Sequence, residues 1–310
     1  MGRAVERPIF FVGAPRSGTT VIFNVFAARS DLAWFSQHLA RFPGWPSVTA
    51  LTRLADLGRG FRKSIDRSDL RRRRLERLRV GPSEAYPVWE RYCGERFVYD
   101  FMLDAKATPG ERERVHRLIE KLQRYQGKRR FATKITGPAR IGYLASIFPD
   151  AQFVHVIRDG RAVTSSLLRV HFWRGSRRER HVSWNGGLDE GDLDPWRDSD
   201  DLPLALAALQ WAAIVSGARD EARELAPGQY VELRYEEFVA DPHLILDETT
   251  DACGLPPASG PHEFLDQRVE LRDMNYRWRE DFDDRQIELL DDLVGEQLRE
   301  LGYEPAPSTS

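Results

Sequence analysis

Ile9-Phe10-Phe11-Val12-Gly13-Ala14-Pro15-Arg16-Ser17-Gly18-Thr19-Thr20 is the stretch on which the fold turns. Four apolar residues run into a glycine, the pattern of a short buried strand. Beyond the second glycine, apolar residues at 21, 22, 23, 25 and 26 suit a buried helix. Strand, glycine-bearing loop and helix in that order make a phosphate loop. Glycines admit backbone N–H groups to an anion, and the helix N-terminus favours negative charge. The spacing is that of the GxxxxGKS/T loop with one departure: Thr19 stands where a nucleotide triphosphatase carries lysine. The cation has moved to Arg16, inside the loop, so the chain is a poor ATPase candidate.

Apolar runs at 131–134, 153–157 and 230–235 predict three further strands. Helices are expected at 139–148, 161–170, 204–225, 242–253 and 284–301, with Pro149-Asp150 and Gly302 as stops. Strands alternating with helices imply an α/β fold, a P-loop-type parallel sheet flanked by helices. Right-handed crossovers then bring the strand ends, and any ligand, to one edge. Two regions break the alternation. Residues 35–130 are helical and arginine-rich, including Arg71-Arg72-Arg73-Arg74, and are expected to form a helical cap insertion. Residues 174–203 are polar and rich in Gly and Asp, and are expected to be a mobile loop. Both are assigned to one domain covering 1–310.

Composition narrows the class. With 41% hydrophobic and 30% charged residues the chain reads as soluble and globular, and a net charge of −2 argues against a general nucleic-acid binder. Of the 46 Lys and Arg residues five are Lys and 41 are Arg, which makes a lysine at an informative place worth weighing. Cys93 and Cys253 form neither a disulfide framework nor a CxxC zinc pair and read as reduced core thiols. The N-terminus lacks a signal-peptide core and a myristoylation pattern, and no apolar run approaches transmembrane length. The expectation is a cytoplasmic protein with no integral membrane segment.

A second block, His155-Val156-Ile157-Arg158-Asp159-Gly160-Arg161-Ala162-Val163-Thr164-Ser165-Ser166, gives the loop a partner. A strand ends in Arg158, a turn follows, and Ser166 lies on the next helix. Arginine can fork onto a phosphate, and a helix hydroxyl adds a donor. Pro15-Arg16-Ser17-Gly18-Thr19-Thr20 resembles the 5'-phosphosulfate loop of sulfotransferases that use 3'-phosphoadenosine-5'-phosphosulfate (PAPS), and the second block resembles their 3'-phosphate motif. The resemblance covers about residues 8–35 and 131–303. Lys134 stands where the family has a lysine near the sulfuryl group. Leu233-Arg234-Tyr235-Glu236-Glu237-Phe238 resembles the block whose tyrosine contacts adenine. Asn275-Tyr276-Arg277-Trp278-Arg279 resembles a late basic segment over the 3'-phosphate, with Arg277 its candidate ligand.

The resemblance implies sulfuryl transfer from PAPS to a hydroxyl or amine, releasing 3',5'-ADP (PAP), with no metal. Sulfuryl transfer parallels phosphoryl transfer, so cations are needed where charge builds on the leaving oxygen, and a base for the acceptor proton. Arg16 and Lys134 are the expected cations. The family's base positions hold Thr136, Ser36 and Gln37 in this sequence, so His38, next in line, is the expected base. His155, inside an apolar strand, reads as a core histidine. A small-molecule, glycan or lipid acceptor is expected. Trp34, Phe35, Phe42, Trp45, Phe172, Trp173 and Trp184 suggest an apolar or ring-bearing one, although core packing explains most of them equally well, and His171 could face it. Two rival readings remain: a P-loop kinase of a small metabolite, dependent on Mg²⁺ and ATP, and a non-catalytic nucleotide-binding protein.

Overall fold

Strand β1 (Ile9–Gly13) is wholly buried at the middle of a five-stranded sheet in the order β2-β3-β1-β4-β5. This computed structural model describes residues 5–53, 81–170, 184–189, 191–271 and 274–304. β3 (Arg130–Thr136) and β4 (Gln152–Ile157) flank β1, with β2 (Leu32–Ala33) and β5 (Tyr230–Arg234) at the edges. Every pairing is parallel, so Gly13 lies beside Thr136 and Ile157 beside Arg234. All the strands therefore end on one edge, where a ligand of an open parallel sheet binds. β2 is the strand the sequence did not announce, because two residues carry no period-2 signal.

Side chains alternate between the two faces of a strand, and both faces here are covered, which is why the strands read as continuous apolar runs. Phe10, Val12, Phe131, Ile135 and Phe153 share one core with α3 (Tyr86–Cys93), α5 (Pro109–Gln126) and α6 (Ile141–Ile147). Phe10 stacks on Phe153 with ring centres 5.5 Å apart, and Trp89 stacks on Phe97 of α4 (Arg96–Tyr99) at 4.6 Å. Ile9, Phe11, Val154, Val156 and Leu233 pack on the other side with α1 (Thr19–Phe26). A third cluster joins α7 (Gly160–Arg169), α8 (Leu202–Ala222) and α13 (Asp284–Glu300).

The described part of the expected insertion at 35–130 is helical, with α2 (Gln37–Arg41) preceding α3 to α5, and it packs directly on the sheet. α5 opens on a capping box, with the Thr108 side chain accepting from Glu111 N and Glu111 reaching back to Thr108 N. Arg71-Arg72-Arg73-Arg74, the first part of the loop expected at 174–203, and His171, Phe172 and Trp173 lie outside the described residues. In the rest of that loop, Asn185 N donates to Tyr99 O and Phe101 N to Asn185 O, and a 3-10 turn spans Asp194–Trp196.

The sequence suggested no run of membrane-spanning length, yet the 21-residue α8 contains an 18-residue window of mean hydropathy 1.3 and is long and apolar enough to cross one. Half of that window is buried within the protein. Trp211 presses on Gly160, where an added Cβ would come within 2.5 Å of the ring, and its Nε1 donates to Arg158 O at 3.2 Å. The apolarity of α8 is thus used in packing against α7 and α13. Both cysteines are free and buried, and burial pushes the thiol pKa to about 12 for Cys93 and about 11 for Cys253.

Candidate active site

The loop from β1 to α1 is shaped by a tight turn and two glycines. Ser17 N donates to Ala14 O at 3.2 Å. Gly18 caps α1 at φ 88° and lies so close to Tyr235 that a Cβ would sit 2.2 Å from the ring. Gly13 passes Val156 O at a distance that leaves a Cβ only 2.4 Å. The first turn of a helix leaves backbone N–H groups without intrahelical partners, so this end of α1 favours an anion. Arg16 takes φ 73°, a left-handed conformation that costs a non-glycine residue about 1–2 kcal/mol. Two contacts hold it there: its carbonyl accepts from Arg158 Nη1 at 3.0 Å, and its Nε donates to Ser166 Oγ at 2.9 Å.

A cleft of about 830 Å³ opens at this edge of the sheet. Of the residues singled out from sequence, Pro15, Arg16, Gly18, Thr19, Thr20, Arg158, Ser166, Tyr235 and Arg277 line it. Ser17 lies beneath, with Oγ buried and unpartnered among the described residues. Tyr235, expected at the end of β5, is the first residue of α9 (Tyr235–Ala240), which turns its ring under Gly18. Two arginines not anticipated, Arg169 and Arg268, also line the cleft. Arg268 ends α11 (Ser259–Arg268), and Arg169 pairs with Asp281. The lining thus holds Arg16, Arg158, Arg169, Arg268 and Arg277 against the carboxylates of Glu84 and Glu270.

Arg158 is 7% exposed, and burial lowers its pKa below the usual guanidinium value. Its plane lies over the Tyr235 ring at 4.6 Å, its Nη1 is held by Arg16 O, and its Nε donates to Asn275 Oδ1 at 2.9 Å. The strand end, the phosphate loop and the segment before α12 (Trp278–Asp281) therefore meet at one guanidinium.

Lys134 stands behind the loop, 7% exposed near the end of β3, and is not itself among the residues lining the cleft. Its Nζ donates to Thr20 Oγ1 at 2.8 Å and to Glu84 Oε1 at 2.5 Å. Thr136 Oγ1 donates to the same Glu84 oxygen at 2.9 Å. Glu84 faces the cleft, and sequence reasoning passed over it. It is brought there by non-local pairing: Gln37 N donates to Gly81 O and Ser83 N to Phe35 O, which lays 81–83 beside 35–37. Ala85, at φ 53°, then turns the chain into α3. Tyr86 closes the group, its hydroxyl donating to Thr136 O, with its pKa pushed up to about 12 mainly by burial. The sequence signal was slight: Gly81-Pro82-Ser83-Glu84, a turn-forming run carrying one carboxylate after an arginine-rich stretch.

His38, the expected base, is not among the residues lining the cleft. Ser36 caps α2, its Oγ accepting from Leu39 N at 3.1 Å, and His38 is the second residue of that helix. His155 is fully buried, as expected of a core histidine, with Nδ1 2.6 Å from the Tyr230 hydroxyl.

Comparison with known proteins identifies the family. The profile of the sulfotransferase family matches residues 8–259. The omega-hydroxy-beta-dihydromenaquinone-9 sulfotransferases Stf3 of Mycobacterium bovis and Mycobacterium tuberculosis are 26% identical over 175 residues, 53% of this chain. The chain spans only 39% of the length of those relatives. The fold is shared with sulfotransferase STF9 from Mycobacterium avium, at TM-score 0.59 and 18% identity over 97% of this chain and 78% of that one. It is shared also with a sulfotransferase domain from the curacin biosynthetic pathway, at TM-score 0.54 and 15% identity over 98% and 100%. With the family profile spanning the phosphate loop, the Arg158 block and the Tyr235 block, this chain belongs to the sulfotransferase family.

Proposed function

We propose that the protein transfers a sulfuryl group from PAPS to a hydroxyl acceptor and releases 3',5'-ADP. The observation that carries this reading is the junction at Lys134, where one ammonium touches both Thr20 of the phosphate loop and the Glu84 carboxylate. A cation at the phosphate loop and a carboxylate beside it are the two groups that sulfuryl transfer to an alcohol requires.

The donor fits the residues present. Five arginines against two carboxylates in the lining suit a polyanion, and the phosphate loop offers a helix N-terminus. When bound, PAPS supplies the activated sulfuryl group. Arg16 and the first turn of α1 would hold the 5'-phosphosulfate end. Arg158, Ser166 and Arg277 would hold the 3'-phosphate, and Tyr235 the base. Lys134 puts positive charge where the leaving oxygen gains negative charge, so its attraction strengthens in the transition state. Glu84 takes the acceptor's proton, with Thr136 fixing its carboxylate. An apolar hydroxylated acceptor suits the relatives named for a menaquinone derivative.

Thermal-shift titration tests the donor. At equal concentrations 3',5'-ADP should stabilise the fold more than 5'-ADP. A tenfold affinity gap corresponds to about 1.4 kcal/mol at saturation. Chelation by EDTA should change nothing. Equal shifts for the two nucleotides would sink the reading, and a shift that needs ATP with Mg²⁺ would favour the small-metabolite kinase. Turnover with labelled PAPS and a panel of alcohols then separates an enzyme from a nucleotide-binding protein.

A further inference from the structure

Among the described residues, the groups in contact with the buried Arg158 guanidinium are not acidic: Nε meets the amide oxygen of Asn275, Nη1 meets the Arg16 carbonyl, and the plane meets the Tyr235 ring. The nearest acidic group in this chain of contacts stands one residue further back. Asn275 Nδ2 donates to Glu236 Oε1, and the same carboxylate accepts from Asp159 N at 3.0 Å and from the Tyr303 hydroxyl at 3.1 Å. Glu236 thus ties together the turn after β4, the segment before α12 and the C-terminal Tyr303. Asn275, 9% exposed, is the joint between carboxylate and guanidinium.

An amide in that joint has a specific electrostatic consequence. A carboxylate in direct contact with a buried guanidinium forms an ion pair, and the positive charge is then largely spent on its protein partner. An amide passes orientation across without passing a full charge: its oxygen accepts from Arg158 while its nitrogen donates to Glu236. We infer that Asn275 is a positioning residue that insulates Arg158 from Glu236, holding the guanidinium in place while keeping its charge free for the 3'-phosphate of the nucleotide. This rests on the proposed function and deepens it, because it names what sets the selectivity of that site for a 3'-phosphorylated nucleotide. Asp159 is adjacent in sequence but is engaged elsewhere, in a two-point pair with Arg161 at 2.8 and 3.0 Å. That pairing keeps the Asp159 carboxylate out of hydrogen-bonding contact with Arg158, although its charge still acts on the guanidinium from a distance, as that of Glu236 does.

The test is the ratio of dissociation constants for 3',5'-ADP and 5'-ADP, measured by calorimetry on the full chain. Asn275→Asp keeps the shape and places a carboxylate against Arg158. It should lower selectivity for 3',5'-ADP by about tenfold, equivalent to about 1.4 kcal/mol, while 5'-ADP affinity stays within about threefold. Asn275→Ala removes orientation without adding charge and should lower selectivity by less. Equal losses in the two variants, or unchanged selectivity in Asn275→Asp, would overturn the inference. If Asn275→Asp does not fold, Glu236→Gln decides. Removing the insulated charge should leave selectivity at or above the wild-type value, and a tenfold fall would show that Arg158 depends on that charge. A wild-type protein that binds both nucleotides equally refutes the proposed function instead.

Discussion

Glu84 and Lys134 share one hydrogen bond, yet their substitutions should fail differently. Glu84→Gln keeps a partner for Lys134 but removes the proton acceptor. Its kcat should fall by about 10²–10⁴, the usual contribution of a general base, with 3',5'-ADP affinity within a few fold. His38→Ala, at a residue outside the cleft lining, should keep near-normal turnover, and the same steady-state assay reports both. A loss at His38 with none at Glu84 would restore the histidine as base. Gly18 offers a test of the loop itself. At φ 88° and against Tyr235, Gly18→Ala meets a left-handed penalty of about 1–2 kcal/mol and a collision besides. Urea denaturation should show the lost stability, and titration should show 3',5'-ADP binding lost with it.

At the scale of elements, the site depends on how α7 is seated. Its first residue, Gly160, lies under Trp211 of α8, and the indole N–H holds the Arg158 carbonyl at the turn between β4 and α7. Trp211→Ala opens a cavity in a fully buried cluster and removes that bond. A buried tryptophan cut to alanine costs about 3–5 kcal/mol. Because the same bond fixes the backbone of Arg158, 3',5'-ADP should bind more weakly even under conditions where the variant is folded. Denaturation midpoints and calorimetry together check this, and full nucleotide affinity in the folded variant would show that the turn holds its shape without the tryptophan.

For the whole molecule, the central sheet carries a built-in pH response. His155 is completely buried in β4, and burial lowers its pKa from 6.5 to about 4. Between those values the unfolded chain binds a proton that the native state does not. Its contribution to stability is therefore full above pH 6.5 and is lost as pH falls towards about 4. The slope from this group approaches about 1.4 kcal/mol per pH unit inside that window. Unfolding free energies measured from pH 7 to pH 5 should fall accordingly, and His155→Leu should flatten the curve. A wild-type protein equally stable at both pH values would show that the imidazole is solvated in the native state.

The sequence alone determined the parts of this protein that are local in the chain. The run from Ile9 to Thr20 specified strand, phosphate loop and helix, because buried parallel strands are continuously apolar and glycines mark where the backbone must approach something closely. The alternation of strands and helices gave the parallel sheet, and that Arg158 and Ser166 would reach the same edge was legible because one directly follows the end of β4 and the other lies on the helix that comes next. Tertiary structure alone decided what depends on contacts between distant residues. Glu84 reaches Lys134 across 50 positions, and Asn275 reaches Arg158 across 117. No periodicity encodes such pairs, since they exist only once 81–83 has paired with 35–37 and the segment before α12 has closed on the end of β4. His38 has the chemistry of a base and a fitting place in the chain, but a general base has to be within hydrogen-bonding reach of the proton it removes, and which residues line the cleft is settled only by the fold.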